Sequence, residues 1–233
     1  MTKGVIFDVG NTLIDFPATN SVEADEGISA VAKYLKLSAA TFAHKLKPLL
    51  DSPKGDSNHR QINTYRDSVC KAATACGLEL TVSQLDALEL AFITPIVTGA
   101  RPVAGMLEVL ENLKGRCKLA VASNTRAHKL IFSALTRHEF TPFFDPIVTS
   151  MACGYRKPSA RMFETVLAAW QLQPEHAAMV GDKLKNDVVG ARALNIYTVW
   201  FSEGGSSELP DVTAKTARDV LVALEAWLDS RLS

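Results

Sequence analysis

The stretch Gly4-Val5-Ile6-Phe7-Asp8-Val9-Gly10-Asn11-Thr12-Leu13 decides the fold. Val5, Ile6, Phe7 and Val9 form a short apolar run of β-branched and aromatic residues, the pattern of a strand buried on both faces. The run stops at an acid and then at Gly10-Asn11, a pair suited to a sharp turn. In open parallel α/β sheets, ligands bind just beyond the carboxyl ends of strands, where backbone donors and loop side chains converge. Asp8 is therefore offered to a ligand. Taken alone, it serves equally well as the residue that starts the turn.

Composition narrows the field. The 233 residues are 47% hydrophobic and 21% charged, which allows a sizeable core in one large domain or two small ones. The 25 Lys+Arg balance the 25 Asp+Glu, so no global field recruits nucleic acid or an anionic membrane. No apolar run is long enough to span a bilayer. The first strand begins almost at Met1, leaving no room for a signal peptide. Cys70, Cys76, Cys117 and Cys153 show no CxxC pair and read as reduced thiols, mostly core fillers, so a cytoplasmic chain is expected. The five histidines lack HExxH spacing, which argues against a histidine-held zinc.

After Ile14 the period becomes helical. Ile28, Val31, Ala32 and Leu35 share one face of a helix, and Ser38 is placed to cap a second with Phe42, Leu46, Leu49 and Leu50. A polar loop follows from Asp51, in which His59 and Arg60 are expected to face water. Ile62, Tyr65, Val69, Ala72 and Ala73 mark a third helix, and Ser83 is read as the cap of a fourth carrying Leu85, Leu88 and Phe92. So much helix between two strands is too long for a connection and reads as an inserted bundle. From Val103 strands at 117–122, 146–149, 177–180 and 196–200 alternate with helices, one of them opened by Pro158 and the last spanning 214–228. The expected architecture is α/β: a Rossmann-like, three-layer parallel sheet formed by residues 1–15 and 100–233, with residues 16–99 as the inserted helical bundle.

Three further stretches fall at strand ends. Ser123-Asn124-Thr125 delivers a hydroxyl and free backbone N–H groups at a helix start, a natural anion site that is also an ordinary helix cap. Lys157 precedes Pro158 at another helix start, where a cation is disfavoured unless an anion compensates it, although a surface lysine tolerates that cost. Gly181-Asp182-Lys183-Leu184-Lys185-Asn186-Asp187 places two carboxylates around a tight turn, with Gly181 allowing close backbone approach. Mg²⁺ is commonly held by one or two carboxylates with substrate phosphate and water, so Asp8 and Asp182 would suffice if they converge. Asp187 alone is also a plausible cap.

Taken together, the order and spacing of these four stretches resemble the haloacid dehalogenase superfamily over essentially the whole chain. The resemblance implies a hydrolase that transfers a phosphoryl group through an aspartyl-phosphate, with Asp8 as nucleophile and Ser123 and Lys157 as catalytic partners. It implies Mg²⁺ on Asp8, the Gly10 carbonyl, Asp182 and Asp187. Phosphate would be held by Gly10, Asn11, Ser123, Asn124 and Lys157, and the inserted helices would act as the family's cap. The implied substrate is a small phosphorylated metabolite, with no nucleic acid or membrane partner; the sequence does not indicate an oligomeric state.

One residue departs from the pattern. Many phosphatases of this superfamily carry a second Asp two residues after the nucleophile, as general acid–base; here that position is Gly10. The carbonyl survives, so metal binding should survive, but a proton donor worth ~10²–10⁴-fold in rate is absent. Asp15 and Glu23 are the carboxylates the sequence offers in its place. Three alternatives follow: a phospho-ligand binder without turnover, a 2-haloacid dehalogenase, and a phosphomutase.

Overall fold

The strand–helix alternation expected from the sequence is present in a computed structural model, which describes residues 2–18 and 21–230. Strand β1 (Gly4–Phe7) is followed by β2 (Ile14–Asp15) and four helices, α1 (Val22–Tyr34), α2 (Ala39–Asp51), α3 (Tyr65–Thr74) and α4 (Val82–Gly99). The chain returns through β3 (Arg101–Pro102), α5 (Met106–Leu113), β4 (Lys118–Ser123) and α6 (His128–Arg137). Then come β5 (Ile147–Thr149), α7 (Ser150–Cys153), α8 (Ala160–Trp170), β6 (Ala177–Gly181) and α9 (Val189–Arg192). Strands β7 (Tyr197–Phe201) and β8 (Val212–Ala214) precede the closing α10 (Ala217–Asp229).

Six strands form one parallel sheet in the order β5-β4-β1-β6-β7-β8. Side chains alternate across it. Val5 and Phe7 of β1 pack with Val121 and Val180 against α5, α6 and α10, while Ile6 packs with Ala120 and Met179 against α8. Burial on both faces is why these strands appear as unbroken apolar runs. The chain passes from β5 across the sheet to β6, so the carboxyl ends of β4, β1 and β6 form the crevice where such sheets bind ligands.

Helices α1–α4 enclose a core of their own, built on Phe42, Leu46, Leu88 and Phe92, which continues onto Ala127 and Leu130 at the start of α6. The chain leaves and re-enters the sheet domain through one antiparallel ribbon, Ile14 opposite Pro102 and Asp15 opposite Arg101. A second tie lies in the α2–α3 loop. Gln61 N–H donates to the Gly154 carbonyl (2.8 Å) and Arg156 N–H to the His59 carbonyl (2.7 Å), stitching this loop to the Lys157 loop. The side chains of His59 and Arg60 face solvent, as expected, but their backbones make this seam.

Several local expectations are corrected. Ser83 lies inside α4; Thr81 is the cap, because its hydroxyl and the Gln84 side chain satisfy two orphan donors reciprocally. Thr64 and Asp67 do the same for α3, leaving Ile62 outside the helix and exposed. Pro158 does not open α8, which starts after Ser159. Strand β8 was not expected, and the four cysteines are half-buried rather than core. No helix among the described residues is long and apolar enough to cross a membrane.

The bundle contains a backbone-to-backbone approach. A Cβ on Gly27 of α1 would lie 2.4 Å from the Phe92 carbonyl oxygen of α4. Alanine gains up to ~1 kcal/mol in helix propensity over glycine, but overpacking against rigid backbone costs ~1–3 kcal/mol, so the clash wins. Gly27→Ala is expected to lower stability by about 1–2 kcal/mol, read as a reduced denaturant midpoint; an unchanged or raised midpoint would show that the two helices separate freely.

Candidate active site

Asp8 follows directly on β1, and its N–H donates to the Val180 carbonyl (2.9 Å), continuing the ladder with β6. That bond fixes the residue at the strand end, where it is 8% exposed. Ser123 closes β4 and is buried at the same edge. Lys157 arrives from the loop after α7 and is held by an amide clamp: its N–H donates to Asn124 Oδ1 (2.8 Å) and its carbonyl accepts from Asn124 Nδ2 (2.9 Å). The ammonium, 1% exposed, lies 2.7 Å from Asp8 Oδ1 and 2.6 Å from Asp187 Oδ1.

Asp182 precedes, and Asp187 lies within, a single π-turn, Leu184–Val188, that closes when Val189 N–H bonds the Leu184 carbonyl. The wider turn brings Asp187 back beside Asp182, and such turns recur at functional sites. Asp187 Oδ2 accepts from Lys183 N–H (2.9 Å), and its carboxyl group lies 2.4 Å from where a Cβ on Gly181 would stand. Only glycine leaves room for that carboxylate. The peptide at Asp182 is anchored from behind by Trp200, whose indole N–H donates to the Asp182 carbonyl (2.9 Å). Trp200 is otherwise part of the core.

Oxygens of Asp8, Asp182 and Asp187 lie within 4.8 Å of one another. Asp182 Oδ1 is buried without a hydrogen-bond donor, and Asp187 Oδ1, also buried, meets only the Lys157 ammonium. No backbone N–H among the described residues donates to the Gly10 carbonyl, which also lines the cleft. A compact, oxygen-only, strongly anionic donor set with unsatisfied lone pairs fits a hard divalent cation such as Mg²⁺. Thiols are not part of it: burial pushes the Cys117 thiol up to about 11 and Cys153 above its usual value.

Burial, opposed by Lys157 and reinforced by the charges of Asp187 and Asp182, pushes the Asp8 carboxyl up to about 6. Burial alone would lower Lys157, but Asp187 and Asp8 carry its ammonium above the ordinary lysine value. These groups open onto a cleft of about 310 Å³, at the small end of ligand pockets, between the sheet edge and the helical insertion.

Not every expected donor is free. Asn11, in the left-handed region at φ 55°, donates its N–H to the Ile14 carbonyl (2.9 Å) and its side-chain amide to Asp182 Oδ2 (3.1 Å). The Asn124 amide is committed to Lys157, leaving its backbone N–H for a ligand. The Ser123 hydroxyl has no hydrogen-bond partner among the described residues. Neither Asp15 nor Glu23 lines the cleft; Glu23 packs on Gly99 instead. A Cβ at Gly10 would meet nothing within 4 Å. Besides Lys183, which pairs with Asp182, three cations that line the cleft, Lys54, Arg126 and Arg156, were not singled out from the sequence. Their adjacency to motif residues, Arg126 three after Ser123 and Arg156 just before Lys157, was the available signal.

A family model described as haloacid dehalogenase-like hydrolase matches residues 2–195. A glyceraldehyde 3-phosphate phosphatase of Methanothermobacter thermautotrophicus is 26% identical over 223 residues, covering 95% of both chains. A ribulose-1,5-bisphosphate 5-phosphatase of Halopiger xanaduensis is 26% identical over 94% of this chain and 92% of its own. Among solved structures, a 2-haloacid dehalogenase from Pseudomonas syringae pv. Tomato superposes with a TM-score of 0.72 at 20% identity, over 97% of this chain and 100% of that one. At that identity the likeness is one of fold.

Because the folded Asp8 carboxyl titrates near 6, above its unfolded value, the folded chain holds that proton more tightly than the unfolded chain does. Its contribution to stability is present below the ordinary aspartate pKa and is lost as pH rises through about 6. With chelator present, the denaturant midpoint of the wild type is expected to fall between pH 4 and pH 7 more steeply than that of Asp8→Asn; parallel profiles would show that Asp8 titrates normally.

Proposed function

Because the chain belongs to the haloacid dehalogenase-like hydrolase family, we propose that it is a Mg²⁺-dependent phosphomonoesterase acting on a small phosphorylated metabolite. One observation carries this reading: a buried Asp8 beside a buried Lys157, facing two further carboxylates, of which Asp182 keeps a buried oxygen with no donor. A metal-free attack on carbon has no use for that donor set, which sets the dehalogenase alternative aside. Relatives at low identity over nearly the full length are named phosphatases of small metabolites, which supports the same choice.

The ion would be held by Asp8, the Gly10 carbonyl, Asp182 and Asp187, and when bound it supplies charge neutralisation between nucleophile and phosphoryl group. In the first step an Asp8 carboxylate oxygen attacks phosphorus in line and the ester P–O bond breaks on the opposite side. Lys157 and the Ser123 hydroxyl meet the phosphoryl oxygens, and the backbone N–H of Asn124 adds a further donor. Preorganised donors of this kind are usually the largest contribution to the rate. The leaving oxygen takes its proton from solvent, since Gly10 supplies none. Water then attacks phosphorus, the bond to Asp8 breaks, and inorganic phosphate and the carboxylate are released. The helical insertion, residues 16–99, acts as a cap that closes this cleft, hinging at the β2–β3 ribbon.

Without a positioned acid, leaving groups of low pKa are favoured: aryl phosphates, acyl phosphates and sugar-1-phosphates. Hydrolysis of a nitrophenyl phosphate is expected to require Mg²⁺ and to fall at least about 10³-fold in Asp8→Asn. Folded protein without turnover in any arm would favour the alternative that Gly10 suggests, a phospho-ligand binder. Position 10 has room for a carboxylate, so Gly10→Asp is expected to raise the alkyl-to-aryl rate ratio by about ten-fold or more. A wild type that cleaves alkyl and aryl esters equally fast would defeat the leaving-group argument.

A further inference from the structure

Besides Lys157 and Lys183, which are paired with the site carboxylates, the cleft is lined by Lys54, Arg126 and Arg156, and none of these three forms an ion pair among the described residues. Cations are paired elsewhere, as in Arg66–Asp86 and Arg192–Asp211. Arg126 is 4% exposed. Its two terminal nitrogens are held by the carbonyls of Leu49 and Leu50 at the end of α2, and its guanidinium lies 5.5 Å from the Tyr65 ring centroid. Its Nε remains buried without a hydrogen-bond partner. Arg156 is half-buried and donates to Gln61 Oε1 (2.8 Å), a contact fixed by the seam between the α2–α3 loop and the Lys157 loop. Lys54 stands exposed at the rim.

Burial, then the charges of Arg126 and Arg156, hold the Lys54 ammonium below its ordinary value. Burial and Arg126 do the same to Arg156. The like charge of Arg126 bears on both Lys54 and Arg156, so the three cations stand close together in the cleft that also holds the carboxylates. Enclosing cations without counter-charge is costly, and a ligand that brings the missing anion recovers that cost.

We propose that Lys54, Arg126 and Arg156 form a subsite for a second anionic group, carboxylate or phosphate, on the leaving-group end of the substrate. The inference rests on the phosphomonoesterase reading and narrows it: the substrate is a phosphorylated metabolite with an anion at each end. The Arg156 guanidinium supplies directional donors to an oxyanion, Arg126 adds a fixed positive charge with an unpartnered Nε, and Lys54 adds a mobile point charge at the entrance.

The test measures binding, so it does not depend on turnover. Propylphosphonate, 3-phosphonopropionate and propane-1,3-diphosphonate share a chain length and differ at the far end: neutral, carboxylate or phosphonate. With Mg²⁺ present, calorimetry on the wild type is expected to show at least one anion-tailed ligand binding about ten-fold or more tighter than propylphosphonate. Lys54→Met and Arg156→Gln are expected to remove most of that advantage; both spare the carbonyl contacts that make Arg126 a risky site to alter. Which tail gains more identifies the source of the anion. Equal affinities in the wild type, no binding of any ligand, or an advantage that survives both substitutions would overturn the subsite. Aryl phosphate turnover reports separately on the phosphatase reading.

Discussion

The Lys157 ammonium, enclosed between Asp8 and Asp187, is the interaction on which the rest of the site depends. A charge that is 1% exposed costs several kcal/mol unless compensated, and three carboxylates crowded within 4.8 Å repel one another unless a cation sits among them. Each side solves the other's problem. The arrangement also ties together three strands: Asp8 continues β1, the Asn124 clamp on Lys157 hangs from β4, and Asp187 leans on Gly181 of β6. The order β4-β1-β6 at the centre of the sheet is what allows one ammonium to reach all of them. A slip of one residue in any of these strands would turn its terminal side chain away from the crevice.

How much of this was legible in the sequence follows from burial. β1, β4 and β6 lie inside the sheet with helices on both faces, so each appears as an uninterrupted apolar run ended by a polar residue. β8 is three residues long at the sheet edge and only partly buried, and β2 and β3 are two residues each; such segments have no period to detect. Asp8, Ser123, Lys157, Asp182 and Asp187 stood out because each falls where a strand or turn delivers it to the crevice. Asn11 and Asn124 show the opposite limit. A sequence displays donors, but not that one is already closing a turn with Ile14 and another is already clamping Lys157.

The division of labour between sheet and insertion was the least legible part. Lys54, Arg126 and Arg156 each look like an isolated surface cation in the sequence, and they acquire a common meaning only because the α2–α3 loop is stitched to the Lys157 loop. Those backbone bonds join residues nearly a hundred positions apart, which no local pattern reports. The carboxylate–lysine cluster is thus anchored on strand ends, where backbone ladders fix position, while Lys54, Arg126 and Arg156 sit on or against a loop of the insertion. Loops tolerate change better than buried strands do. The two tasks are carried by parts of the chain that can vary independently.

The empty space at Gly10 has a consequence for the history of such a chain. With no atom within 4 Å of a Cβ there, packing does not exclude a larger residue. Glycine and aspartate codons can differ by a single base, so a carboxylate at this position lies one point mutation away. A deficit that neither sterics nor the genetic code enforces must be kept by selection or by its absence. Lineages carrying this cleft are therefore free to gain or lose a proton donor without passing through a misfolded intermediate.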